Sequence, residues 1–212
     1  LDRIDWPQLK SSIRVSFNRN STDSPFFPTQ GSKTSYSFEL AGGPLGGEIE
    51  FQEHVLSHSY YQKVPGGFAL HLRGFLGLLH GFGSGENSED VVPDWERYRL
   101  GGNRRYPLRG YRDLEVVPRG NPSFIGGRFF TIFNTELLYP VTDAIQLLSF
   151  VDMGDVWNSF QEADFAHMRK GAGVGIRVEV PMMGTIGFDY GYGFDRLGGP
   201  AWEPHFTIGN MF

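Results

Sequence analysis

The chain's reactive side chains are densest between Gly83 and Gly126. Seven of its fifteen arginines fall there, at positions 97, 99, 104, 105, 109, 112 and 119. Glu86, Glu89, Asp90, Asp94, Glu96, Asp113 and Glu115 balance them. A guanidinium can grip a carboxylate through two parallel hydrogen bonds, so an arginine here could act as a fixed charge clamp. The alternative is a set of solvated loop arginines without fixed partners. Enzyme-like groupings are weaker. His54 and His58 are four residues apart, which on a strand is about 13 Å, too far to share a metal. Asp152 and Asp155 fall on opposite faces of one strand. Glu86-Asn87-Ser88-Glu89-Asp90 lacks the spacing of an EF-hand loop. The glycine run at 81–85 lacks the Lys-Ser/Thr of a P-loop. With no cysteine, thiolate metal sites, disulfides and Cys nucleophiles are excluded. The expectation is a protein that is not an enzyme and that uses no cofactor or metal.

The elements that would carry these groups have a period of two. Ile13, Val15 and Phe17 alternate with Arg14, Ser16 and Asn18. Tyr36, Phe38 and Leu40 alternate with serines and Glu39. Val174, Ile176 and Val178 alternate with glycines and Arg177, and Ile186, Phe188, Tyr190 and Tyr192 with glycines and Asp189. Such alternation marks strands with one apolar and one polar or small face. It predicts nine strands, at 11–20, 33–42, 47–62, 67–82, 126–140, 144–157, 171–181, 184–195 and 204–212, joined mostly by tight turns and therefore antiparallel. Strands this long, with aromatics near their ends (Tyr60, Tyr61, Tyr139, Trp157, Tyr192 and Phe212), fit a transmembrane barrel facing lipid. On periodicity alone, a large soluble barrel or sandwich is the alternative.

Composition narrows the classes further. The 212 residues include 29 glycines, and the net charge of -5 argues against a nucleic-acid partner. The longest run without Asp, Glu, Lys or Arg, Gly74–Gly85, is too short for a transmembrane helix, which needs about 20 residues. The connection at about 83–125 is long and rich in aromatics (Trp95, Tyr98, Tyr106, Tyr111). A balanced, aromatic loop of this kind fits one that folds back onto a polar surface, such as the wet interior of a barrel.

Four segments in order carry a resemblance. Arg97-Tyr98-Arg99-Leu100-Gly101-Gly102-Asn103 followed by Leu108-Arg109-Gly110-Tyr111 resembles the sixth extracellular loop of the Omp85 superfamily, with Leu108 in place of that motif's Val. Phe26-Phe27-Pro28-Thr29-Gln30-Gly31 resembles its Phe-Pro-Thr-x-Gly turn. Phe150–Trp157 resembles its Asp-x-Gly-x-Val-Trp strand, and Phe206–Phe212 its C-terminal β-signal.

The resemblance implies an all-β, antiparallel transmembrane barrel, with these nine strands forming the C-terminal part of a sixteen-stranded Omp85 barrel. The N-terminal strands and the POTRA domains would lie outside this chain. It implies an inward Arg109 paired with Glu136 and Asp152, and alternation independently puts both acids on the inner face. Gly110 and Gly154 would be backbone requirements, with Gly154 beside the docked loop, and Tyr111 would pack near the clamp. Phe206, Ile208, Gly209 and Phe212 would form a weak lateral seam. The implied function is assembly and insertion of outer-membrane proteins. Its partners would be unfolded clients, the lipid bilayer and accessory assembly lipoproteins, in a Gram-negative-type outer membrane. Alternatives are a secretion pore of the same superfamily or a passive porin.

Overall fold

A computed structural model describes residues 8–82, 92–120 and 123–209. Nine strands run in sequence order through a single sheet: β1 (Ser12–Asn20), β2 (Gly31–Ala41), β3 (Phe51–Val64), β4 (Phe68–Gly81), β5 (Phe129–Thr142), β6 (Ile145–Trp157), β7 (Arg169–Val180), β8 (Gly184–Gly193) and β9 (Ala201–Ile208). Every neighbouring pair is antiparallel. Among the described residues the helical elements are four single turns of 3-10 helix. No described helix is long and apolar enough to cross a membrane.

The two faces follow the alternation. On β5, Asn134, Glu136 and Leu138 are buried, while Phe133, Leu137 and Tyr139 are exposed. On β6, Gln146, Leu148, Phe150 and Asp152 are buried, and Leu147 and Val151 are exposed. On β1, Ile13, Val15 and Phe17 present bare apolar side chains. An apolar belt on the convex face is what lipid requires of a barrel wall.

The long connection between β4 and β5 fills the concave side. It carries its own apolar residues, Val92, Tyr98, Leu100, Leu108, Tyr111 and Val116. These pack against Phe51, Leu79, Phe130, Ile132 and Val156, which project inward from the strands. The interior is therefore apolar toward the loop and polar below it, rather than uniformly wet. Isolated bridges Leu100↔Val116 and Gly102↔Leu108 give the loop local β geometry.

Several expectations are corrected. β3 begins at Phe51, after a 3-10 turn at Gly43–Leu45, and β9 begins at Ala201, three residues before Pro204. Pro204 pairs with Tyr190; a proline is tolerated there because β9 has β8 as its one neighbour among the described residues. Tyr61 is not a girdle residue. It points inward and stacks on His71 with ring centroids 4.1 Å apart. Trp157 and Phe129 are covered by Phe160 and Phe165 of the β6–β7 connection rather than open to lipid. Phe212 lies outside the described residues.

The β1–β2 turn is more than a reversal. The Asp23 carboxylate accepts from the Thr29 backbone N–H at 2.8 Å, the Thr29 hydroxyl at 2.6 Å and the Gln30 N–H at 3.1 Å. Slight burial raises its pKa, but these donors outweigh that and hold it at about 2. The braced turn carries Phe26, Phe27 and Pro28 under the lumen.

Candidate functional site

The loop tip Leu108-Arg109-Gly110-Tyr111 is held by several strands at once. Arg109 is 1% exposed and Asp152 is 0% exposed. The guanidinium donates from Nε to Asp152 Oδ2 and from Nη2 to Asp152 Oδ1, both at 2.8 Å, a bidentate fork. The Arg109 backbone N–H adds a third bond to the same carboxylate at 2.9 Å. Nη1 lies 2.7 Å from Glu136 Oε1 and 3.8 Å from Asp189 Oδ2. The guanidinium carbon sits 3.7 Å from the centre of the Phe150 ring, which packs the planar cation from one side. Burial on its own would lower the Arg109 pKa. The carboxylates of Asp152 and Glu136 overcome that and raise it, so the group stays charged.

The structure thus brings together Arg109, Glu136 and Asp152, on the loop, β5 and β6. It also supplies members that sequence reasoning missed. Asp189 on β8 is a third carboxylate, held in a two-bond pair by Arg177 of β7 at 2.7 and 2.8 Å. His71 on β4 lies 2.7 Å from the other oxygen of Glu136. Asn103 donates to Asp189 at 2.6 Å. Period two puts Asp189, Arg177 and His71 on the inner face, His71 by its alternation with Phe68, Leu70 and Leu72. What alternation lacks is the register that makes inner residues from five strands converge.

The remaining motif residues have distinct roles. Leu108 is fully buried in the apolar cluster. Gly110 has φ 91, and a Cβ there would come within 2.7 Å of the Gly193 nitrogen. The loop backbone lies directly on bare strand backbone at Gly171 of β7 and Gly191 and Gly193 of β8: a Cβ on Gly171 would strike the Arg109 carbonyl oxygen, and one on Gly191 would sit 2.7 Å from the Gly110 nitrogen. The glycine faces of these strands form a slot for the loop. Tyr111 packs in the apolar cluster and donates from its hydroxyl to the Lys170 carbonyl at 2.8 Å; burial pushes its pKa up to about 12. Gly154 is a backbone requirement for a different reason than expected. A Cβ there would meet Ile132 and the Thr131 carbonyl of β5, not the loop.

Below the clamp lies a cavity of about 40 Å³, lined by Arg109, Glu136, His71, Gln146 and Thr185, with Phe26, Phe27 and Pro28 as its floor. The seam residues sit elsewhere. Phe206 and Ile208 point outward from β9, 66% and 63% exposed, and Gly209 donates its N–H to the Thr185 carbonyl at 3.0 Å. Among the described residues no cluster of three or more His, Cys, Asp or Glu is arranged to hold a metal.

This geometry is an inward loop pinned by a buried arginine inside an antiparallel sheet with an apolar outer face. The Omp85 superfamily domain model matches residues 4–212.

The chain belongs to the Omp85 superfamily.

Omp85 relatives agree along most of the chain. The outer membrane protein assembly factor BamA of Nitratidesulfovibrio vulgaris is 30% identical over 96% of this chain and 26% of the relative. BamA of Neisseria meningitidis serogroup B is 27% identical over 68% of this chain and 18% of its own length. A SAM50-like protein of Schizosaccharomyces pombe is 28% identical over 63% of this chain and 27% of its length. The matched stretch therefore spans between about a fifth and about a quarter of the length of these relatives. The crystal structure of Haemophilus ducreyi BamA lacking POTRA domains 1–3 superposes with a TM-score of 0.75 at 22% identity, over 93% of this chain and 41% of that one. The chain has the outer-membrane β-barrel fold of the Omp85 type.

Proposed function

We propose that the protein carrying this chain folds and inserts outer-membrane β-barrel proteins, with the chain as the C-terminal part of its own barrel. Its clients would be unfolded outer-membrane proteins, delivered with the help of POTRA domains and accessory lipoproteins. The exposed edge of β9 would pair with a client strand and template its folding by β-augmentation. The docked loop would keep the lumen closed and the wall stiff while that edge works. No bond is made or broken; the barrier lowered is that of burying unpaired strand edges in lipid.

The observation that carries this reading is the buried Arg109–Asp152–Glu136 clamp in a chain of this family. Burying three charges to pin one loop is costly and gains little net stability. A clamp of that kind fits a wall that must stay shaped while one edge opens. The test is Arg109→Ala in the intact protein, in cells depleted of the native copy. The variant is expected to reach the outer membrane while folded client levels, read from heat-modifiable mobility, fall severalfold. Unchanged client levels would remove the clamp from the mechanism.

A further inference from the structure

β9 is the strand on which the proposed seam depends, and within the described sheet it pairs only with β8. It has a second attachment from inside. Its three inward positions after Ala201 are Glu203, His205 and Thr207, and each touches the loop. Arg112 lies 3.5 Å from Glu203. Gly110 donates its backbone N–H to His205 Nε2 at 2.9 Å. Asn103 donates to Thr207 Oγ1 at 3.0 Å while its amide also holds Asp189 of β8. The contacts differ in environment. Arg112 is largely solvated, and its pair with Glu203 is weak on that ground. His205 is 6% exposed and its bond to Gly110 is buried.

We propose that His205 is a latch that positions β9 against the loop tip, and that it holds only while its imidazole is neutral. The chemistry follows from the donor. Gly110 offers an N–H, so Nε2 must present a lone pair, which puts the proton of the neutral ring on Nδ1. Protonation would place N–H against N–H, and the tip would lose its hold on β9. The Arg109 clamp, one residue away, would stay attached to β5 and β6. The loop would thus remain docked while β9 is held to it only through Asn103 and Arg112. The charged groups around the ring are Asp189 of β8, Glu203 of β9, and Arg109 and Asp113 of the loop. Asp189 is already committed to Arg177. The motif supplies Gly110, whereas the acceptor His205 is set by the register Asp189↔His205 between β8 and β9.

The latch rests on the proposed seam for its consequence, not for its existence, so it is tested without any client. Hydrogen exchange would be followed by mass spectrometry on the intact protein in lipid nanodiscs, at pH 7.5 and pH 4.5, corrected for intrinsic rates. Peptides covering 103–111, 201–208 and 129–157 would be compared. Losing one buried hydrogen bond, about 1–1.5 kcal/mol, corresponds to about five- to tenfold faster exchange. In the natural protein, acid is expected to speed exchange in 103–111, where the Gly110 amide loses its acceptor, and in 201–208, and to leave 129–157 unchanged. His205→Ala should be fast at both pH values. His205→Gln, which can still accept through its amide oxygen, should be protected at both. The proposal is overturned by acid-independent exchange in the natural protein, by a glutamine variant that behaves like alanine, or by acceleration spreading equally into 129–157, which would mean general loosening. Normal folded client levels in cells depleted of the protein, alongside the expected exchange pattern, would remove the insertion reading and leave the latch standing.

Discussion

At the scale of single residues, the clamp depends on the shape of its cation as well as its charge. Arg109 makes two bonds to Asp152 and reaches Glu136 with the remaining nitrogen. A lysine is a compact point charge and cannot span both acids in that way. Arg109→Lys should therefore cost about 1.5–3 kcal/mol, the range for hydrogen bonds to charged groups. Arg109→Ala, which strands two buried carboxylates, should cost about 3–5 kcal/mol. Urea midpoints of the heat-modifiable folded form would rank the variants. A lysine variant as stable as the natural protein would show that charge alone holds the loop. The residue types Arg, Glu and Asp, and their inward faces, were legible in the sequence. Asp189, Arg177 and His71 were legible as inner-wall residues but not as members of one cluster, because convergence depends on strand register and curvature.

At the scale of elements, β7 and β8 are defined by what they lack. In the sequence their inward glycines read only as a small face. In the fold, Gly171, Gly191 and Gly193 are the floor on which the Arg109–Gly110 backbone rests. Gly191→Ala would bring a Cβ to 2.7 Å from the Gly110 nitrogen and 3.1 Å from its Cα, so the tip must lift. The expected outcome is protease cleavage within 103–111 of the folded protein. Gly74→Ala on β4, where the nearest atom is a Phe133 ring carbon at 3.7 Å, should leave the loop protected. Equal resistance of both variants would mean that the slot is not the seat of the loop. The β1–β2 turn makes a similar point. Its Phe-Pro-Thr segment signalled a turn, but its place under the clamp arises from packing, since Phe26, Phe27 and Pro28 reach residues far along the chain.

At the scale of the whole molecule, the unpaired edges decide the behaviour. The described sheet runs from β1 to β9 without those two strands pairing. A row of free N–H and C=O groups is not stable in the hydrocarbon core of a bilayer, so both edges need partners. The 212-residue chain refolded alone in detergent should aggregate or run as a multimer. A compact, heat-shifting monomer should form only when strands that pair with both edges are supplied. A monomeric, heat-shifting species from this chain alone would mean that β1 and β9 close on each other.

The sequence by itself determined the strands, their two faces and the family. Alternation is a local property written directly into residue order, and the motifs are short and contiguous. Ile13, Phe133 and Leu147 face outward, and Glu136 and Asp152 inward, for that reason alone. Only the tertiary structure decided that Tyr61 belongs to the interior rather than to an aromatic girdle. It also decided that the loop brings an apolar cluster of its own into the lumen, and that His205 stands opposite the Gly110 N–H. Each of these joins residues 10 to 95 positions apart, and such contacts are set by register, sheet curvature and the path of one long loop. A period of two specifies which side a residue takes. Which partner it meets there is fixed only when the strands are paired and the loop has filled the space between them.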